Sequence, residues 1–354
     1  MEISLALSCL ALALVILNSL TIRVVRNKPN EIRESVSILV PMRNEENNAA
    51  NCVTSLISQN GLMDFEILVL DDNSTDQTMK ELSKFSEIKP LNGKSLPDGW
   101  LGKLWALEQL VSASRGKYLV FIDADVRLTP HAVASAIKQM RDWDFISAYP
   151  KQITSGFTQR LFQPLLQWSW LASVPLIISQ KFSIKSMVVA NGQFLIIKRD
   201  AYLKSGGFDP IKSEVLDDLM IAKQLVKSGF KGGVAEASNV ATCQMYDSPI
   251  QLIKGYQKSL WRAFGSPLGS ITAVALLFVT GVLPLIATLL GSEIGLITFS
   301  LILLSRIISA IRTNTLPNTA LLHPLAILIL IGLIVYSWFG KLTKSLTWRD
   351  RPVI

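Results

Sequence analysis

Three short apolar runs in this chain end in acids and amides, and those residues carry its chemical capacity. Asp123 and Asp125 stand one residue apart, directly after Leu119, Val120, Phe121 and Ile122. At that spacing in a turn both carboxylates reach one hard divalent cation, Mg2+ or Mn2+, and a diphosphate needs such a cation to neutralise its charge as it leaves. A second run ends in Asp71, Asp72, Asn73 and Ser74, and a third in Pro41, Arg43, Asn44 and Glu45. Helix caps and turns account for Ser74 and Asp76, but not for clustered acids at all three ends.

The elements that must position these residues follow from periodicity. Apolar runs at 36–40, 67–70 and 118–122 alternate with helical stretches near 48–58, 75–83 and 103–112. Such alternation predicts an α/β fold, a mostly parallel sheet with helices on its faces, which binds ligands at the carboxyl ends of its strands. Lys103 opens one of the helices, where a cation and a helix N-terminus together suit a diphosphate; a solvated helix residue is the plain alternative. Asn191 and Gly192 either line the same pocket or form only the turn that leads a strand. His131 follows a Thr-Pro turn and His323 edges an apolar stretch, so both read as capping or surface residues and not as metal ligands.

A mean hydropathy of +0.36 and 49% hydrophobic residues exclude a wholly soluble chain. Residues 3–22 are long enough to cross a hydrocarbon layer, with Glu2 before them and Arg23, Arg26 and Lys28 after. That charge order reads as an uncleaved anchor and places the next domain in the cytoplasm. Three further apolar stretches follow at 271–290, 294–311 and 321–339. Simple counting would send Lys341, Lys344, Arg349 and Arg351 outside, against the positive-inside rule. Either one stretch is re-entrant or interfacial, the middle one being weakened by Arg306, or the rule fails here. Residues 161–182, with Trp168, Trp170 and two prolines, read as an interfacial segment, because a crossing there would part the early polar motifs from the late ones.

The expected division is an anchor at 1–29, a cytoplasmic domain at 30–265 that includes the interfacial segment 161–182, an apolar transmembrane region at 266–340 and a basic tail at 341–354, the chain crossing the cell membrane more than once. Cys9, Cys52 and Cys243 have no paired spacing, which fits a reducing compartment. The net charge of +8 is scattered or sits beside apolar segments, a pattern that suits anionic lipid and not nucleic acid.

Taken together, SILVPMRNEE at 37–46, EILVLDDNSTDQT at 66–78 and KYLVFIDADV at 117–126 resemble the nucleotide-sugar half of inverting family 2 glycosyltransferases with the GT-A fold. GWLGKLWALEQL (99–110), ANGQFLIIKRDAYLKSGGFD (190–209) and VLDDLMIAKQLVKSGF (215–230) are similar to membrane members of that family acting on carotenoid acids, hopanoid-type lipids and ceramide. TWRDRP at 347–352 is similar to a tail motif in the first two groups. The resemblance implies an enzyme that moves a hexose from a nucleotide-diphosphate sugar, such as a UDP-hexose, to a membrane lipid.

The same resemblance implies that Pro41, Arg43, Glu45, Asp71, Asp72, Lys103 and Asp123 bind the donor, with Asp71 and Asp72 at the nucleoside. Asp123 and Asp125 would hold metal and diphosphate, and Asp218 would be the catalytic base, beside Asp217 where many relatives have Glu. Asn191, Gly192 and Asp217 fall to the acceptor or diphosphate. LIKGYQKSLWRAF at 252–264 resembles the Gln-x-x-Arg-Trp motif of processive synthases, with Gln257 and Trp261 in place but Leu260 at the arginine position. This points to a single transfer, with Lys258 or Arg262 near the leaving phosphate.

Transfer to a polyprenyl phosphate, with the same fold and donor, stays open as an alternative. An inactive membrane scaffold is the rival of another class, and it leaves the carboxylates at 72, 123, 125 and 218 without a task. Nucleotidyl transfer is disfavoured because no glycine-rich loop follows the first strand. The charge pattern generates a test of the tail. With the native cysteines replaced and Ser345→Cys introduced, an impermeant thiol reagent should label the protein only after lysis; labelling of intact cells would put the tail outside.

Overall fold

The computed structural model describes residues 1–348 and 351–352; Arg349 of the predicted tail and Asp350 of the C-terminal motif lie outside the described residues. In chain order the helices are α1 (Glu2–Thr21), α2 (Glu46–Ile57), α3 (Thr78–Leu82), α4 (Gly102–Ala113), α5 (Ala132–Met140), α6 (Phe157–Ser173) and α7 (Leu176–Phe182). They continue as α8 (Arg199–Lys204), α9 (Asp217–Lys227), α10 (Pro249–Ala263), α11 (Pro267–Gly281), α12 (Leu283–Leu289), α13 (Glu293–Arg312) and α14 (His323–Leu342). The strands are β1 (Val36–Met42), β2 (Phe65–Asp71), β3 (Lys89–Asn92), β4 (Tyr118–Ile122) and β5 (Val126–Leu128). After them come β6 (Phe145–Tyr149), β7 (Lys151–Gln152), β8 (Phe194–Lys198), β9 (Gly232–Glu236) and β10 (Ala241–Cys243).

Two compact units result. One comprises residues 22–151 and 178–245, the other residues 1–21, 152–177 and 246–354. Segments 152–177 and 246–265, expected within the polar domain, thus group with the apolar helices.

The first unit is built on a sheet of order β3-β2-β1-β4-β8-β6-β9. β1 pairs in parallel with β2 and β4, and β2 with β3, while β8 runs antiparallel to both β4 and β6. The predicted mostly parallel sheet is therefore present. Its strands are apolar on both faces because both are covered: Ile38, Val40, Val69 and Val120 pack on the side of α2 and α5, and Leu39, Leu68, Leu70 and Phe121 on the side of α4 and α9. Strand order reverses between β1 and β4, the place where open α/β sheets form a ligand crevice.

Among the described residues the second unit holds four helical stretches long and apolar enough to cross a membrane, at Glu2–Thr21, Pro267–Leu289, Glu293–Arg312 and Pro317–Leu342; in the chain as a whole the bent pair α6–α7 would make a fifth. Arg306 does not interrupt α13; it turns inward and is 3% exposed. His323, expected at the surface or as a cap, is instead fully buried, because the apolar helices close around the start of α14.

Breaks in these helices are answered by side chains. Pro164 inside α6 frees the carbonyl one turn earlier, at Arg160, and Thr319 Oγ1 donates to it at 2.8 Å. Pro175 ends α6, and buried Asn18 of α1 satisfies the opened backbone: Nδ2 donates to Leu171 O at 2.8 Å and Val174 O at 2.7 Å, and Oδ1 accepts from Leu176 N at 3.0 Å. Unpaired backbone groups are costly where no water reaches, about 1–3 kcal/mol each. Asn18→Leu should therefore lower the melting temperature in detergent by several degrees, whereas Leu20→Ala, at a position 80% exposed, should not. Equal melting of the two variants would remove Asn18 from this role.

Candidate active site

The site residues of the sheet unit are carried by strand ends and helix starts. β1 runs into Arg43, which reaches across to the loop after β2: Nη1 donates to Asp72 O at 2.5 Å and Asn73 O at 3.0 Å. Asn44 and Asn73 both adopt positive φ, 53° and 56°, a conformation asparagine tolerates. Asn44 N donates to Ser74 Oγ at 2.9 Å and Asn44 Oδ1 accepts from Thr75 N at 2.8 Å, so the two loops form one rim. Glu45 N donates to Thr78 Oγ1, and Glu45 accepts from Asn48 Nδ2. Asp71 and Asp72 are buried at the end of β2, and Pro41 lies beyond Leu39, the last β1 residue paired with β4.

The second half of the site gathers around Lys103 at the N-terminus of α4. Its Nζ lies 3.0 Å from Asp123 Oδ1 and 3.3 Å from Asp217 Oδ2. Desolvation pulls the ammonium pKa down, but the carboxylates of Asp123 and Asp217 outweigh it and hold the pKa above the usual lysine value. Asp218, next along α9, accepts from Gly192 N at 3.0 Å and from Leu219 N at 2.7 Å. A side chain at position 192 would bring a Cβ to 3.2 Å of Asp218 Cβ, so glycine permits this close approach. Lys103, Asp123, Gly192, Asp217 and Asp218 line one pocket with Phe121 and Phe208.

Desolvation first, and Asp217 second, push the Asp218 carboxyl up to about 6. Desolvation and the neighbouring Asp123 push Asp125 up to about 7. Asp125 Oδ1 is shielded from solvent and has no hydrogen-bond partner. Among the described residues no group of three or more His, Cys, Asp or Glu side chains stands ready to hold a metal ion. The residues nonetheless fit Mg2+ or Mn2+ in a nucleotide site, where one or two carboxylates suffice because phosphate oxygens and water complete the shell. Asp123 and Asp125 supply that pair, with an oxygen of Asp125 unused.

Sequence reasoning missed the braces of this loop. Arg127 donates to Ala124 O at 2.7 Å, to Val126 O at 2.8 Å and to Asn48 Oδ1 at 2.8 Å, and Asn191 N donates to Ser147 Oγ at 2.7 Å. Only the adjacency of Arg127 to the acidic pair could have signalled it. Gln257, Lys258, Trp261 and Arg262 stand on α10 in the helical unit. There Trp261 N donates to Ser337 Oγ at 2.9 Å and Lys341 Nζ lies 3.7 Å from the Trp261 ring.

The model of the family described as Glycosyl transferase family 2 matches residues 37–205, the stretch from β1 through Lys103, Asp123 and Gly192. The chain carries a family 2 glycosyltransferase domain. The glycosyltransferase is 23% identical over 269 residues to the 4,4'-diaponeurosporenoate glycosyltransferase of Staphylococcus haemolyticus, covering 72% of this chain and 69% of that one. The enzyme of the same name from Staphylococcus aureus is 24% identical over 268 residues, covering 73% and 68%. A mannosyltransferase from Pyrobaculum calidifontis, solved with GDP-Man and Mn2+, shares the fold with a TM-score of 0.56 at 16% identity, over 96% of this chain and 98% of that one. With its four long apolar helices, this glycosyltransferase is a membrane protein.

The raised pKa of Asp125 has a sign that can be tested. Its folded value, about 7, lies above the ordinary carboxylate value of 3.8, so the folded protein holds a proton that the unfolded chain gives up. The corresponding stability is present at low pH and is lost as pH rises through about 7. In chelator at pH 8, Asp125→Asn should melt roughly 3 °C or more above the unsubstituted protein, with little difference at pH 4. Coincident melting curves at pH 8 would show that Asp125 ionises there without strain.

Proposed function

We propose that this glycosyltransferase moves a hexose, with inversion, from a UDP-hexose or similar nucleotide sugar to a membrane-soluble lipid acid of the carotenoid-acid type, at the cytoplasmic face of the cell membrane. The observation that carries the reading is the pocket in which the Lys103–Asp123 ion pair faces Asp218, at the strand ends of a family 2 domain whose relatives are named for a carotenoid acid.

In this reading the acceptor oxygen attacks the anomeric carbon opposite the diphosphate. The new carbon–oxygen bond forms as the bond to the diphosphate oxygen breaks, and that electron pair leaves with the nucleoside diphosphate. Asp123 and Asp125 would hold a divalent cation, which neutralises the diphosphate when bound. Lys103, at the positive end of α4, stabilises the same departing charge. Asp71 and Asp72 receive the nucleoside within the rim braced by Arg43, and Asn191 and Gly192 shape the wall beside Asp218. A carboxylic acid arrives already ionised, with an ordinary pKa of about 4, and needs no base; Asp218 then orients it.

A lipid hydroxyl is the second reading, and the raised pKa of Asp218 favours it, since a carboxyl near 6 suits a general base at neutral pH. Membranes incubated with labelled nucleotide sugars, with label followed into the organic phase, separate the two. Chelator and Asp125→Ala should each abolish transfer, and Mg2+ or Mn2+ should restore it to the chelated enzyme. For a carboxylate acceptor, Asp218→Asn should keep at least about a tenth of the rate. A loss on the order of a hundred- to ten-thousandfold, with wild-type activity falling as pH drops below about 6, would replace the acid with a hydroxyl lipid. Product labile to mild acid would identify a polyprenyl phosphate instead.

A further inference from the structure

The interior of the helical unit holds a positive charge that no described residue matches. Arg306, 3% exposed on α13, has Nη1 shielded from solvent without a hydrogen-bond partner. Among the described residues none forms an ion pair or hydrogen bond with its guanidinium; what it faces is the ring of Trp168, 5.8 Å away. Among the described residues the acids of this unit, Glu2, Asp247 and Glu293, are exposed. On the other side of the constellation His323 is fully buried, and neither of its ring nitrogens has a partner. Its ring meets Trp168 edge-on at 4.9 Å, while Trp168 Nε1 donates to Ser305 Oγ at 2.8 Å.

Helix α6, which carries Trp168, also buries neutral amides. Gln163 and Gln167 lie one turn apart on α6, 1% and 2% exposed; both amide atoms of Gln163 and Oε1 of Gln167 lack partners. Buried polar groups are ordinarily paired, and an unpaired ionised one within an apolar bundle marks a functional site more often than a packing fault. Its depth also matters. Arg306 precedes the end of α13 at Arg312 by six residues, about 9 Å at 1.5 Å per residue, which in a spanning helix of this length lies inside the hydrocarbon layer, where an unpaired guanidinium is costly and reaches toward the nearer head groups.

We propose that the helical unit binds the acidic head group of a membrane lipid, with Arg306 as the cation and His323 as its neutral partner. This site is additional to the donor pocket. A guanidinium takes a phosphate or carboxylate through two parallel hydrogen bonds, and the shielded, tryptophan-floored setting strengthens each of them. The lipid head is either that of a bulk phospholipid or the acid of the acceptor, and both present the same chemistry.

The full-length protein, delipidated in an uncharged detergent, gives the test without any transfer assay, so its outcome is independent of the donor and acceptor assignments. Dioleoylphosphatidylglycerol should raise the melting temperature by several degrees and dioleoylphosphatidylcholine should not. Arg306→Gln should lose at least half of that rise, and Arg306→Lys should keep part of it. A rise with oleate but not with phosphatidylglycerol would assign the same site to a lipid carboxylate. Equal rises in wild type and Arg306→Gln, or no rise with either anion, overturn the proposal. Should Arg306→Gln fail to fold, native mass spectrometry of the wild type decides: preferential retention of phosphatidylglycerol or oleate supports the site, and retention of phosphatidylcholine alike refutes it.

Discussion

Carboxylates from two distant parts of the chain share the ammonium of Lys103, and the active-site half of the sheet unit depends on that sharing. Asp123 arrives from the end of β4 and Asp217 from the start of α9. Without a cation between them they would repel each other and Asp218, whose pKa already stands above its ordinary value. With it, desolvation of the ammonium is more than repaid by the two acids. The surrounding braces follow as consequences: Arg127 fixes the turn between Asp123 and Asp125, and Gly192 lets the backbone approach Asp218 closely enough to donate to it.

The balance of charge left over bears on chemistry. Lys103 answers Asp123 and Asp217, while Asp125 and Asp218 remain costly to ionise. A nucleoside diphosphate alone would add to that negative excess, so the pocket suits a diphosphate that arrives with a divalent cation. In the proposed function the cation would lower the cost of ionising Asp125, and the diphosphate would give Lys103 a new partner.

The sheet was legible in the sequence because each strand is a short apolar run and each acid-bearing loop begins where that run stops. Asp71, Asp72, Asp123 and Asp125 could be read this way, since their position at a strand end follows from local pattern alone. The meeting of Lys103 with Asp217 could not, because it depends on where α9 packs and no local signal carries that. The place of α6 and α10 was illegible for a different reason. Gln159, Gln163 and Gln167 make one face of α6 look like the surface of a soluble helix, and the fold buries that face within the helical unit. His323 was misread likewise, as one imidazole at the edge of an apolar run gives no sign of which side it faces.

Polar accounting separates two kinds of buried side chain in the helical unit. Asn18 and Thr319 have partners that the backbone creates at Pro175 and Pro164, so each is explained by a broken helix and requires no ligand. Arg306 and His323 answer no such break. Nothing in α13 needs a guanidinium at that position, since a leucine there would continue the helix at lower cost. A residue that weakens the bundle, and that no backbone group requires, is most simply explained by something outside the chain that it holds; for a guanidinium in an apolar setting, that partner is an anion.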